Sequence, residues 1–125
     1  MDNIFRYKKQ YESALLSLLI NETDWQIFTN EQNLEIFKEA LLSSETFICE
    51  HNHEICGYLR ALVDAFGLYV SELYVAPNYR NQGYGKKLLQ RLKKEHPQKN
   101  LYVLSDEDLY YQKLGLKQIG SVFQL

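Results

Sequence analysis

The stretch Arg80-Asn81-Gln82-Gly83-Tyr84-Gly85 sets two glycines one residue apart, between the apolar segment Leu73-Tyr74-Val75 and the lysine-rich run GKKLLQRLKKE. Strand, glycine turn and helix start together make an anion holder. The first N–H groups of a helix have no intrahelical partner, the helix dipole favours negative charge there, and glycine lets an anion come close to the backbone. Charge gathers at the same place. Residues 1–77 carry 5 basic and 12 acidic side chains, whereas residues 78–125 carry 9 and 4. Between Asn78 and Lys94 every charged residue is basic: Arg80, Lys86, Lys87, Arg91, Lys93 and Lys94. Arg80, Lys86 and Lys87 flank the turn itself, while Lys93 and Lys94 read equally well as a solvated helix face.

The elements that must position this turn follow from apolar periodicity. IFRY at 4–7 reads as a strand, YESALLSLLI as a helix with a leucine face, and NLEIFKEALL as a second helix. TFICE, the turn HNH and EICGYLRALVD read as a hairpin, and GLYVSELYV adds a strand that Pro77 ends. The run after Gly85 is an amphipathic helix stopped at Pro97, LYVL is a short, fully apolar strand, and DEDLYYQKLG opens on acids and closes on glycine as a helix should. LKQIGSVFQL is expected to supply a last strand. A strand-helix-strand crossover occurs only across Gly67–Leu104, which predicts one parallel pair in an otherwise antiparallel sheet. At 125 residues the chain fits one domain, 1–125, and its 46% hydrophobic and 24% charged residues are ordinary globular usage, which argues against disorder.

Two motifs in this order resemble the GNAT superfamily of N-acetyltransferases. Arg80 to Gly85 matches R/Q-x-x-G-x-G/A after a strand ending LYV-x-P, and YYQKLGL at 110–116 resembles the later F-Y-x-x-x-G-F signature. The resemblance implies an α/β (α+β) fold: a mixed, mostly antiparallel sheet with one splayed parallel strand pair and helices on both faces. It also implies acetyl-CoA as acyl donor. The backbone of Asn81, Gln82, Gly83, Tyr84, Gly85 and Lys86 would wrap the pyrophosphate, with Arg80 or the lysines reaching the phosphates. Leu73, Tyr74 and Val75 would pair with the pantetheine arm like an added strand. Leu116 stands where the family has phenylalanine, and the acidic Ser105–Asp108 stretch stands where many members carry an asparagine.

The implied reaction is attack of a primary amine on the acetyl thioester in a ternary complex. An alkyl ammonium near pKa 10.4 needs about 4–5 kcal/mol to become neutral at pH 7, so a base or a water chain is required. Glu72, beside the strand end, is the nearest acidic candidate, with Asp106 to Asp108 second. Tyr111 matches the tyrosine that in many GNAT enzymes protonates the departing thiolate. A phenol near 10 giving its proton to a thiol near 8.5 runs uphill by about 2 kcal/mol, and the helix N-terminus is expected to ease this by stabilising the phenolate. Tyr110 takes the place of the family's apolar phenylalanine and has the lesser claim.

Other chemistries find less support. Cys49, His51, His53 and Cys56 are metal-ligand types, but they fall where a hairpin turn is needed and lack a second half-site, so no metal is expected. The glycine turn lacks the P-loop lysine pattern and the acidic residue of a dinucleotide site. The local basic patch on an acidic chain speaks against nucleic acid, and the want of about 18 consecutive apolar residues speaks against a membrane span. Two cysteines suit a reducing, cytoplasmic setting. The acidic residues of 12–42 favour a cationic acceptor: a small-molecule amine, a peptide or protein N-terminus, or a lysine. A single strand after the last helix implies either a minimal sheet or one that a second copy completes in a homodimer. The rival function is a non-catalytic acyl-CoA-binding regulatory module of the same fold.

Overall fold

A computed structural model describes residues 3–125. Five strands form one sheet in the order β1-β2-β3-β4-β5: Ile4–Arg6, Glu45–His51, Glu54–Val63, Gly67–Val75 and Asn100–Val103. Three pairings are antiparallel, and β4 with β5 is parallel, as the crossover requires. On one face lie α1 (Glu12–Leu19), the short α2 (Gln26–Thr29) and α3 (Leu34–Ser43), whose Leu15, Leu19, Phe37 and Leu41 pack with Ile48, Tyr58 and Tyr74. On the other lies α4 (Tyr84–Glu95), whose Leu88, Leu89 and Leu92 cover Phe47, Leu59, Ala61, Leu68 and Val70. Helices on both faces and a mostly antiparallel sheet are the expected fold. The β2–β3 hairpin turns at Asn52 and His53, both at positive φ as a two-residue turn demands.

Two registers slip by one residue, and each slip redirects side chains. Arg60 pairs with Glu72 but Ala61 with Val70, which makes Ser71 the extra residue on β4. Before the bulge Leu68 and Val70 face α4; after it Leu73 and Val75 do, and Glu72 and Tyr74 turn to the α1–α3 layer.

The last strand is the one element that does not form. After α5 (Asp108–Lys113) the chain carries no regular structure. Gly115 at φ +93 ends α5, with Leu116 N–H donating to the Tyr111 carbonyl and Gly115 N–H to that of Gln112, which is the Schellman stop the glycine predicted. β5 offers only four residues as a template, so a strand beside it would gain few ladder bonds. Ile119, Val122 and Phe123 accordingly remain exposed.

Candidate active site

The site grows from where β4 and β5 part. Their pairing stops at Val70 with Val103, closed by Leu104 N–H donating to the Val70 carbonyl, while β4 continues to Val75. Ala76 N–H donates to the Cys56 carbonyl of β3. Backbone alternation then turns the polar groups of Leu73 and Val75 to the opposite edge, which β5 has left open. Arg80 reaches that edge: its Nε donates to the Val75 carbonyl at 2.8 Å. The guanidinium is thus engaged with the strand end instead of standing free beside the turn.

The glycine turn opens α4. Asn81 at φ +63 and Gly83 at φ +87 are both left-handed, and Gly83 is the helix N-cap without any side-chain cap. Helix geometry leaves the N–H groups of the first turn, Tyr84 to Lys86, without intrahelical acceptors. Asn81, Gln82, Gly83 and Lys86 are exposed, whereas Tyr84 points inward, 5% exposed, and shares a 2.6 Å hydrogen bond with His51 Nδ1. Tyr84 therefore offers its backbone, not its ring, to anything bound at the turn. Lys87 Nζ lies 5.4 Å from the centroid of the Tyr84 ring.

Strand end, helix start and α5 meet at Gly85. A side-chain Cβ there would overlap the hydroxyl of Tyr110 and lie 3.8 Å from Leu73. With a Cβ here, the Tyr110 side chain would have to swing aside for α5 to keep its place. Tyr110, the tyrosine of lesser claim, is the one brought onto the first turn of α4. The ring of Tyr111 stands edge-on to Tyr110 at 5.0 Å and packs against the core under α4. A hollow of about 1030 Å³ between α4, β5, α5 and the last segment is lined in part by Lys86, Leu89, Val103, Tyr111 and Val122.

The surroundings of Tyr111 correct one expectation. Burial pushes its phenol well up, and Tyr110, Asp106 and Glu107 add to the shift. Burial first, and then the acids at the start of α5, oppose the phenolate that the helix end was expected to favour. Tyr111 consequently keeps its proton far above neutral pH.

Glu72 lies on the other side of the sheet, with a side chain only 3% exposed. Arg60 grips both of its oxygens, Nε to Oε1 at 2.8 Å and Nη2 to Oε2 at 2.7 Å. Tyr58 O–H donates to Oε1 at 3.1 Å, and Trp25 Nε1–H donates to Tyr58 at 2.8 Å. Desolvation and the Glu72 charge raise the Tyr58 phenol well above its ordinary value. Nearby, Tyr74 O–H donates to Glu22 at 2.8 Å and meets the Trp25 ring at 5.0 Å. Sequence reasoning named Glu72 but not its partners Arg60, Tyr58 and Trp25, because the bulge and the fold of residues 22–25 over the sheet bring them together. Among the described residues no three His, Cys, Asp or Glu side chains gather as a metal site would need, and no helix is long and apolar enough to cross a membrane.

These elements recur in known proteins. The chain is 27% identical over 105 residues, 78% of its length and 82% of the relative's, to an "Uncharacterized N-acetyltransferase in lysA 3'region" of Bacillus methanolicus. Its fold superposes with TM-score 0.76 on a ribosomal-protein-alanine N-acetyltransferase from Brucella melitensis biovar Abortus 2308, at 14% identity with 98% of this chain and 97% of that one covered. It superposes with TM-score 0.69 on AAC(6')-Iy in complex with the bisubstrate analogue CoA-S-monomethyl-acetylneamine, at 17% identity with 98% and 95% covered. The acetyltransferase (GNAT) domain family matches residues 43–118, the hairpin, the open strand pair, the glycine turn and α5, and the chain belongs to that family.

Proposed function

We propose that this protein transfers the acetyl group of acetyl-CoA to a primary amine by direct attack in a ternary complex. The observation that carries the reading is the early end of β5 at Val103, which leaves the edge of Leu73 to Val75 without a neighbouring strand, its Val75 carbonyl met only by Arg80, just ahead of the uncapped N-terminus of α4. Unpaired backbone at a strand edge suits an amide-bearing arm, and uncapped helix N–H groups suit a phosphate. In this reading Asn81 to Lys86 bind the pyrophosphate through backbone N–H groups, Lys86 and Lys87 add long-range charge, and Arg80 secures the strand end through Val75.

Tyr111 is assigned to the departing thiolate. A phenol that burial keeps protonated has a hydrogen bond to offer as the C–S bond breaks, while the raised value makes full proton transfer costlier than from an ordinary phenol. Glu72 remains the carboxylate assigned to the acceptor amine. Arg60 and Tyr58 orient it on the α1–α3 side, where Glu22, Trp25 and Tyr74 border the acceptor. The engagement of both its oxygens by Arg60 is also the observation that favours the rival, a module that binds acyl-CoA without transfer. Calorimetry with coenzyme A followed by acetyl-CoA turnover on amines, polyamines and peptide N-termini separates the readings. Binding with turnover supports transfer, binding without turnover on the whole panel supports the module, and no binding overturns both.

A further inference from the structure

Cys49 and Cys56 take no part in the proposed reaction, yet the fold sets them side by side. In the β2–β3 pairing Cys49 stands opposite Gly57 and Glu50 opposite Ile55, so Cys56 is the extra residue of a bulge. Two residues on the bulged strand then oppose one on its partner, and both sulfurs come to the same face. They lie 3.2 Å apart, wholly buried, in the cluster that also holds Tyr84. A Cβ at Gly57 would meet Cys49 Sγ at 3.0 Å and overlap the Tyr74 carbonyl, so the glycine is what leaves room for the pair.

We propose that Cys49 and Cys56 are a modification site, a dithiol that a hydroperoxide closes into an intramolecular cross-strand disulfide. With hydrogen peroxide, the Cys56 sulfur attacks one oxygen and the O–O bond breaks, leaving a sulfenic acid and one water. The Cys49 sulfur then attacks the Cys56 sulfur, the S–O bond breaks, and the hydroxyl leaves with the Cys49 proton as a second water. Two thiols lose two electrons and two protons, and one peroxide becomes two waters. The pair is polarised for this order. One thiol donates its S–H to the other sulfur, and this bond draws the Cys56 thiol below its ordinary value, while the same bond and burial push Cys49 up. A disulfide near 2.05 Å asks the sulfurs to approach by about 1 Å, within the reach of side-chain rotation. The pair sits close to the hairpin turn at Asn52 and His53, and fraying of that tip admits a small oxidant.

The test uses the whole reduced chain, exposed to hydrogen peroxide, quenched, unfolded, alkylated and weighed. The expected wild-type product takes no alkyl group, has lost the mass of two hydrogens, and regains two alkylatable thiols after dithiothreitol. Cys49→Ser, lacking the resolving sulfur, is expected to leave a sulfenic acid at Cys56 that dimedone traps. A wild-type chain that still takes two alkyl groups after an exposure that labels Cys56 in Cys49→Ser overturns the proposal. So does a disulfide found only between chains on a non-reducing gel.

Discussion

Tyr111 and Glu72 are asked for opposite services, and their surroundings differ accordingly. Tyr111 is held protonated by burial and by Asp106 and Glu107, so it can act only while giving a proton or a hydrogen bond. Tyr111→Phe is expected to lower kcat and kcat/KM together by about 10²-fold, the low end for general acid catalysis because a thiolate leaves fairly well unaided. Coenzyme A affinity by calorimetry should stay unchanged, and an unaltered kcat removes Tyr111 from the mechanism. The sign of its shift adds a pH expectation. A phenol raised above about 10 stays protonated through that pH, so kcat should show no tyrosine-dependent fall below it. Glu72, assigned to the acceptor amine in the proposed reaction, is also an anchor of the fold. Glu72→Gln leaves the half-buried Arg60 without its counter-charge and is expected to cost about 3 kcal/mol of stability, seen as a lower denaturation midpoint. A variant as stable as wild type would mean that Arg60 finds another partner.

At the scale of elements, the two glycines before and within α4 do different work. Gly83 sits at φ +87 with open space where a Cβ would go, so the cost of Gly83→Ala is conformational, about 1–2 kcal/mol, with no steric conflict. Gly85 is a contact point: Gly85→Ala drives a methyl into the Tyr110 hydroxyl and pushes α5 off the start of α4. Because Tyr111 follows Tyr110 on that helix, Gly85→Ala is expected to lower kcat as well as coenzyme A affinity, whereas Gly83→Ala should weaken affinity with a smaller effect on kcat. Adding Tyr110→Phe to Gly85→Ala should recover part of the lost kcat, since it removes the overlapping oxygen. Steady-state kinetics on the three proteins decides it, and a double variant no better than Gly85→Ala would show that α5 is placed by other contacts.

At the scale of the whole molecule the weak part is the end beyond α5. Ile119, Val122 and Phe123 are 72%, 74% and 92% exposed, so residues 117–125 bury little apolar surface within the chain. Removing them is expected to change the unfolding free energy by less than about 1 kcal/mol and to leave the denaturant slope nearly unaltered, because that slope follows the surface exposed on unfolding. A large loss would mean that the segment packs into the hollow beside β5 or onto a second copy in solution. Sedimentation of the full and shortened chains tells those two apart.

The order of elements from β1 to α5 apart from the short α2, the single parallel pair, the glycine turn at the head of α4 and the Gly115 stop were readable along the chain, because period, proline and glycine act over a few residues. What tertiary structure alone decided lies at the two bulges and at the edge of the sheet. Ser71 and Cys56 each add one residue to a strand, and no local pattern marks them; yet they turn Glu72 toward Arg60 and set Cys49 beside Cys56. LKQIGSVFQL has a strand's composition but lacks a neighbour long enough to pair with, since β5 ends at Val103. Propensity belongs to a segment, whereas a strand exists only where a second backbone meets its hydrogen bonds.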